Sequence, residues 1–77
     1  MTIRDKIMLI VAGCLEQDAQ TLDCDKEFFD MEGYDSVRSV MILSKIEDEF
    51  NVIIPEDDIF DIVSINDWVA EIEKLIK

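Results

Sequence analysis

The sequence predicts an all-α fold, a small bundle of three main helices and a short additional one placed third. Three observations carry this. Apolar residues recur at three- and four-residue spacing in three separate segments. A serine, threonine, aspartate or proline stands where each segment begins. No stretch reads convincingly as a strand: "FNVII" (50–54) is apolar enough, but it would have no partner to pair with. The 77 residues make one domain, 1–77. A chain this short buries only about 60% of its unfolded surface, so the core is small.

The first helix follows from Ile3, Ile7, Ile10 and Cys14, a stripe that Val11 and Leu15 widen. Thr2 with Asp5 three residues later resembles a capping box, with Asp in the place that Glu or Gln usually takes. Residues 16–35 form a long acidic connection. Connections of this length are packed or functional in compact domains, and Phe28 and Phe29 are expected to pin it to the core. The second helix runs from Ser36 to Phe50 behind Asp35 as N-cap, with Val40, Leu43, Ile46 and Phe50 as its inner stripe. "VMIL" (40–43) sets four apolar residues in a row, so one must leave the buried face, and Met41 is assigned to solvent. Asn51 and "VIIP" mark the exit. Pro55 opens the short third helix, "EDDIFDI", whose first turn carries three acids as the helix dipole prefers. The fourth helix starts near Ser64, with Asp67 three later. Trp68, Val69, Ile72, Leu75 and Ile76 supply its apolar residues, and Lys74 and Lys77 its basic last turn.

The formal charge is −12, from 19 acidic and 7 basic residues. A phosphate backbone wants a basic patch, so this charge opposes nucleic-acid binding, and no nucleic-acid partner is expected; it also opposes docking to anionic lipid. Partners with basic faces are favoured, because the field steers their approach. No run approaches the ~20 apolar residues of a membrane span, so no stable membrane insertion is expected. "MTIRDKIMLIVAGCL" carries charges at Arg4, Asp5 and Lys6 and too short an apolar run for a signal peptide. Both thiols are therefore expected reduced in a cytoplasmic setting, Cys14 in the core and Cys24 exposed in the loop.

Histidine is absent. That removes the commonest general base and metal ligand, a Ser–His–acid triad and a zinc site. Asp23, Asp25 and Glu27 begin like a calcium loop, but Phe28 and Tyr34 stand where an EF-hand requires Gly and Glu. The motif is rejected, although weak, non-specific divalent binding stays open. No residue set supports catalysis.

What remains is a serine. Ser36 falls in the first turn of the second helix, where backbone N–H groups lack partners and the dipole favours an anion. Gly33 lets the preceding loop turn sharply and keeps the position open to a second enzyme. A phosphodiester on Ser36 would be held well there. Read alone, "DS" is a weak signal and a plain helix start is the better reading of it.

The ordered series "DSV" then "VMIL", "IEDEFNVIIPED" and "IVSINDWVAEI", approached through "FFDMEGYDS", resembles the acyl carrier protein family over nearly the whole chain. The resemblance implies an acyl-carrier-like bundle with 4'-phosphopantetheine on Ser36, moved there from coenzyme A by a phosphopantetheinyl transferase. The distal thiol of that arm would hold an acyl group as a thioester for acyl-handling enzymes with basic docking faces. It implies a monomer that does not itself catalyse. Partners would meet the second helix, where Asp35, Glu47 and Asp48 match the family's acidic character. Val40, Ile46, Ile62 and Trp68 would wall the acyl chain. The sequence departs from the fatty-acid carriers at Val37, Arg38 and Met41 on the second helix and at Phe60 on the third. Those four join Glu47 and Asp48 as expected partner contacts and favour a specialised, free-standing carrier in fatty-acid, polyketide or related lipid synthesis. The alternatives are an aminoacyl or peptidyl carrier of a non-ribosomal pathway and a non-covalent acidic interaction module.

Overall fold

In the computed structural model, which describes residues 2–76, the chain starts on a capped helix. In α1 (Ile3–Leu15) the Thr2 hydroxyl accepts from the Asp5 N–H at 3.1 Å, and the Asp5 carboxylate accepts from Thr2 N–H. Aspartate thus completes the capping box despite its short side chain. Ile7, Val11, Cys14 and Leu15 are buried, while Ile3 and Ile10 are half-buried. Glu16 ends the helix in the left-handed region (φ 56), and both its N–H and that of Gln17 go to the Ala12 carbonyl. α2 (Ser36–Phe50) ends the same way at Asn51 (φ 54), a residue that tolerates this conformation. α3 is a single turn, Glu56–Ile59, and α4 spans Ile65–Ile76. α4 buries Ile65, Trp68, Val69 and Ile72 and packs with α2 against α1. The radius of gyration, 11.3 Å, is close to the ~11.5 Å of a compact chain this long. No helix among the described residues is long and apolar enough to cross a membrane.

The long connection is ordered by two 3-10 turns, Ala19–Thr21 and Phe28–Asp30, and is tied to the start of α4. Phe28 N–H donates to Val63 O at 2.8 Å, and Asn66 N–H to Cys24 O at 3.2 Å. Phe28 and Met31 drop into the core. Phe29 does not, against expectation: it stays 80% exposed, because adjacent residues of one 3-10 turn cannot share a face. Cys24 is half-buried rather than exposed, since its carbonyl is held against α4.

Three helix assignments also change. The inner stripe of α2 is Ile42 and Ile46, with Leu43 and Phe50 half-buried, and Val40 is 63% exposed. The helix is rotated so that Arg38 Nη1 donates to Cys14 O on α1. That rotation carries Val40 outward along with Met41. α3 stops at Ile59, and Pro55 precedes it as N-cap; only i→i+3 turns follow, Asp61 N–H to Asp58 O and Ile62 N–H to Ile59 O. Ile76 lies half out of the core at the end of α4, and Lys77 lies outside the described residues. The start of α4 is as expected: Ser64 Oγ accepts from Asp67 N–H, and the Asp67 carboxylate accepts from Val63 N–H at 3.0 Å.

An ionic group joins α3 to α4. Lys74 Nζ lies 3.3 Å from Asp58 and 3.8 Å from Glu71. The Glu71 side chain is only 10% exposed, and its Oε2 is buried without a hydrogen-bond partner among the described residues. Burial, and then the neighbouring Asp58 carboxyl, raise its pKa. Asp58 is lowered, chiefly by the proton Glu71 can share with it and then by Lys74. Two carboxylates cannot bond without that proton, which is why Oε2 stands alone when Glu71 is charged. A raised acid is favoured folded when protonated. Glu71 therefore stabilises the fold below its unfolded pKa, and this is lost as pH rises through the raised value. The Asp58 contribution is present above its ordinary pKa and is lost only at lower pH. Thermal unfolding across pH is thus expected to show Glu71→Gln more stable than the parent at neutral pH. The difference should vanish on acidification. A variant that is less stable at neutral pH would contradict this.

Candidate functional site

The site begins at a backbone reversal. Gly33 sits at φ 86, where an L side chain is strained; an added Cβ would meet only Leu15 O at 3.5 Å, so the requirement is for conformation and not for space. Tyr34 N–H closes the turn on Met31 O at 3.3 Å. Asp35 is extended, and its Oδ1 accepts from Arg38 N–H at 2.8 Å while its carbonyl accepts from Ser39 N–H. This takes the third N–H of α2. The N–H groups of Ser36 and Val37 have no acceptor among the described residues. Ser36 is the first helical residue and is exposed. Replacing Asp35 with Ala removes one cap and is expected to cost about 1 kcal/mol, or roughly 4–8 °C in Tm, by thermal unfolding.

A phosphate ester fits this arrangement. An exposed hydroxyl stands at the positive end of a fifteen-residue helix with two free N–H donors beside it. The approach loop has no side chain at Gly33 to cover it. Gly33, Asp35 and Ser36 therefore come together as the sequence suggests.

The expected contact residues divide. Val37, Val40 and Met41 line the outward face of α2, and Asp48 is exposed further along the helix. Arg38 is half-buried and bonded to α1. Glu47 is half-buried, and its Oε2 accepts from Ile54 N–H at 2.9 Å, holding the chain after α2. Both do structural work inside the fold. Phe60 is 83% exposed just after α3.

A cleft of about 300 Å³ opens beside the start of α2. Of the four residues assigned to an acyl wall, Ile62 and Trp68 line it. Val40 points to solvent, and Ile46 is fully buried in the core instead. The rest of the lining includes Ser39 and Ile42 from α2 and Ile59 from α3. Phe28, Phe29 and Tyr34 line it from the loop, and Phe60 and Val63 from the segment after α3. Ser39 bonds to Ser36 O at 2.8 Å and so links cleft and serine. The signal for this face was the spacing 39–42–46, which "VMIL" concealed by offering 40–43–46 as well. Among the described residues no cluster of side chains is arranged to hold a metal ion.

A family model described as "Phosphopantetheine attachment site" matches residues 5–72. The chain is 35% identical over 72 residues to "Acyl carrier protein 3" of Ralstonia nicotianae, covering 94% of this chain and 83% of that protein. It is 35% identical to "Acyl carrier protein AcpP" of Rhizobium meliloti, over 94% of this chain and 92% of the relative. It is 31% identical to "Acyl carrier protein" of Solidesulfovibrio magneticus, over 96% and 95%.

Proposed function

We propose, from the premise that the chain belongs to the acyl carrier protein family and carries 4'-phosphopantetheine covalently, that Ser36 is the attachment residue. The observation that carries this is the exposed Ser36 hydroxyl in the first turn of α2, directly after the left-handed turn at Gly33 and the Asp35 cap. Bound there, the group supplies a thiol on a flexible arm, which holds acyl groups as thioesters.

The chain's own part is positional. During loading, Ser36 Oγ gives its proton to a base of the transferase and bonds to the phosphorus that bears pantetheine. The pyrophosphate bond of coenzyme A breaks, and adenosine 3',5'-bisphosphate leaves. The free N–H groups of Ser36 and Val37 and the α2 dipole favour the resulting phosphodiester anion. Asp35 holds the helix start in shape.

Residues 1–77 act as one carrier domain and catalyse nothing themselves. The cargo is acyl, for fatty-acid, polyketide or related lipid synthesis, and the protein works as a monomer in the cytoplasm. Transferase and acyl-handling enzymes with basic faces approach an acidic surface. They meet Val37, Val40 and Met41 on the outer face of α2, with Asp48 and Phe60 nearby. Methionine suits a surface that must fit several partners. Arg38 and Glu47, half-buried on the same helix, also hold it in place through their bonds to Cys14 O and Ile54 N–H.

The test is the intact mass of the apo protein after incubation with coenzyme A and a broad-specificity phosphopantetheinyl transferase, with the modified peptide sequenced. A gain of one phosphopantetheine on Ser36 supports the reading. No gain with a folded protein and an active transferase, or a gain on another residue, overturns it.

A further inference from the structure

Five of the six aromatic side chains in the sequence line the cleft beside Ser36: Phe28, Phe29, Tyr34, Phe60 and Trp68. Core packing accounts for Phe28 and Trp68, which are buried. It does not account for Phe29 and Phe60, which remain more than three-quarters exposed while lining the same cavity. One exposed apolar residue is ordinary. Two phenyl rings at one cleft, continuous with further rings inside it, make a binding surface.

Three of the five rings are already in contact around Tyr34. Phe28 and Tyr34 stack with centroids 5.3 Å apart and planes 10° from parallel. Phe29 meets Tyr34 edge to face at 5.5 Å and 81°. A planar group entering the cleft would extend this series by the same offset-stacked or edge-to-face contacts. A saturated chain gains only the area term and loses more rotational freedom on burial. The volume, about 300 Å³, is at the small end for ligand pockets and suits a short, compact group. Ser39 lines the cleft three residues after Ser36, about 4.5 Å along the helix axis, so a group tethered at Ser36 can reach it.

We propose that the cleft selects acyl groups bearing an aromatic ring or a conjugated planar system, in preference to saturated chains of equal carbon count. This rests on Ser36 as the attachment site. Each well-placed ring pair is expected to favour the planar cargo roughly two- to tenfold.

The experiment loads the apo protein with the transferase from two coenzyme A analogues, one carrying a cinnamoyl and one a nonanoyl group through a stable amide. The fraction of cargo in the cleft is read from the methyl shifts of Ile42, Ile59 and Ile62, and Tm is measured alongside. The expected result is a cinnamoyl fraction at least twice the nonanoyl fraction, with the larger rise in Tm. That advantage should be lost in the Phe29→Ala/Phe60→Ala double variant, whose exposed substitutions leave the core intact. An equal or larger nonanoyl fraction would overturn the inference while leaving the carrier reading standing. A cinnamoyl advantage that persists in the double variant would overturn it as well. Failure of both analogues to load on the folded protein with an active transferase would overturn both readings together.

Discussion

Ser36→Ala is expected to abolish loading by the transferase completely, with the far-ultraviolet circular dichroism and Tm almost unchanged. The two halves of this result have separate causes. Loading needs an oxygen nucleophile at the first position of α2, and alanine has none. Stability needs little from Ser36, because the side chain is exposed and the cap is made by Asp35. Alanine is also the better helix former, which offsets what little the hydroxyl contributes. Ser39 is the nearest other hydroxyl on the helix, but it already donates to Ser36 O at 2.8 Å and faces the cleft. Ser64 is buried. Intact mass with and without coenzyme A decides the matter. A phosphopantetheine gain surviving in Ser36→Ala would relocate the site, and a large loss of helicity would show that Ser36 has a structural role.

A large effect on stability is expected at Ile72, one of the fully buried core isoleucines. Its side chain is fully buried where α4 packs on α1. Truncation to alanine removes three carbons' worth of transfer free energy and leaves a cavity, at a cost of about 2–5 kcal/mol. A chain this long has a total stability of only about 4–12 kcal/mol. Ile72→Ala should therefore lower Tm by roughly 10 °C or more, or leave the protein partly unfolded at room temperature. Ile76→Ala, four residues on, should cost about 0.5 kcal/mol or less, since that side chain is already half in solvent. Equal losses at the two sites by chemical denaturation would contradict the packing of α4.

Ile72 and Ile76 read alike in the sequence, and the same contrast runs through the molecule. Features governed by neighbours in the chain were legible. These include the capping box at Thr2 and Asp5, the Asp35 cap, the left-handed turn at Gly33, the exit at Asn51 and the exposed serine between loop and helix. Each depends on hydrogen bonds or backbone sterics within about four residues, so the local string of residues determines it. Features that depend on which way an element faces were not legible. "VMIL" permits two rotations of α2. A side chain from α2 bonded to a carbonyl of α1, Arg38 to Cys14, selects the one that turns Val40 outward and Ile42 inward. In the loop, Phe28, whose N–H is held by Val63 O, enters the core, and Phe29 stays on the cleft. The sequence by itself determined four helices and a serine at a helix start. Only the tertiary structure decided what lies beside that serine, because burial depends on contacts between residues far apart in the chain.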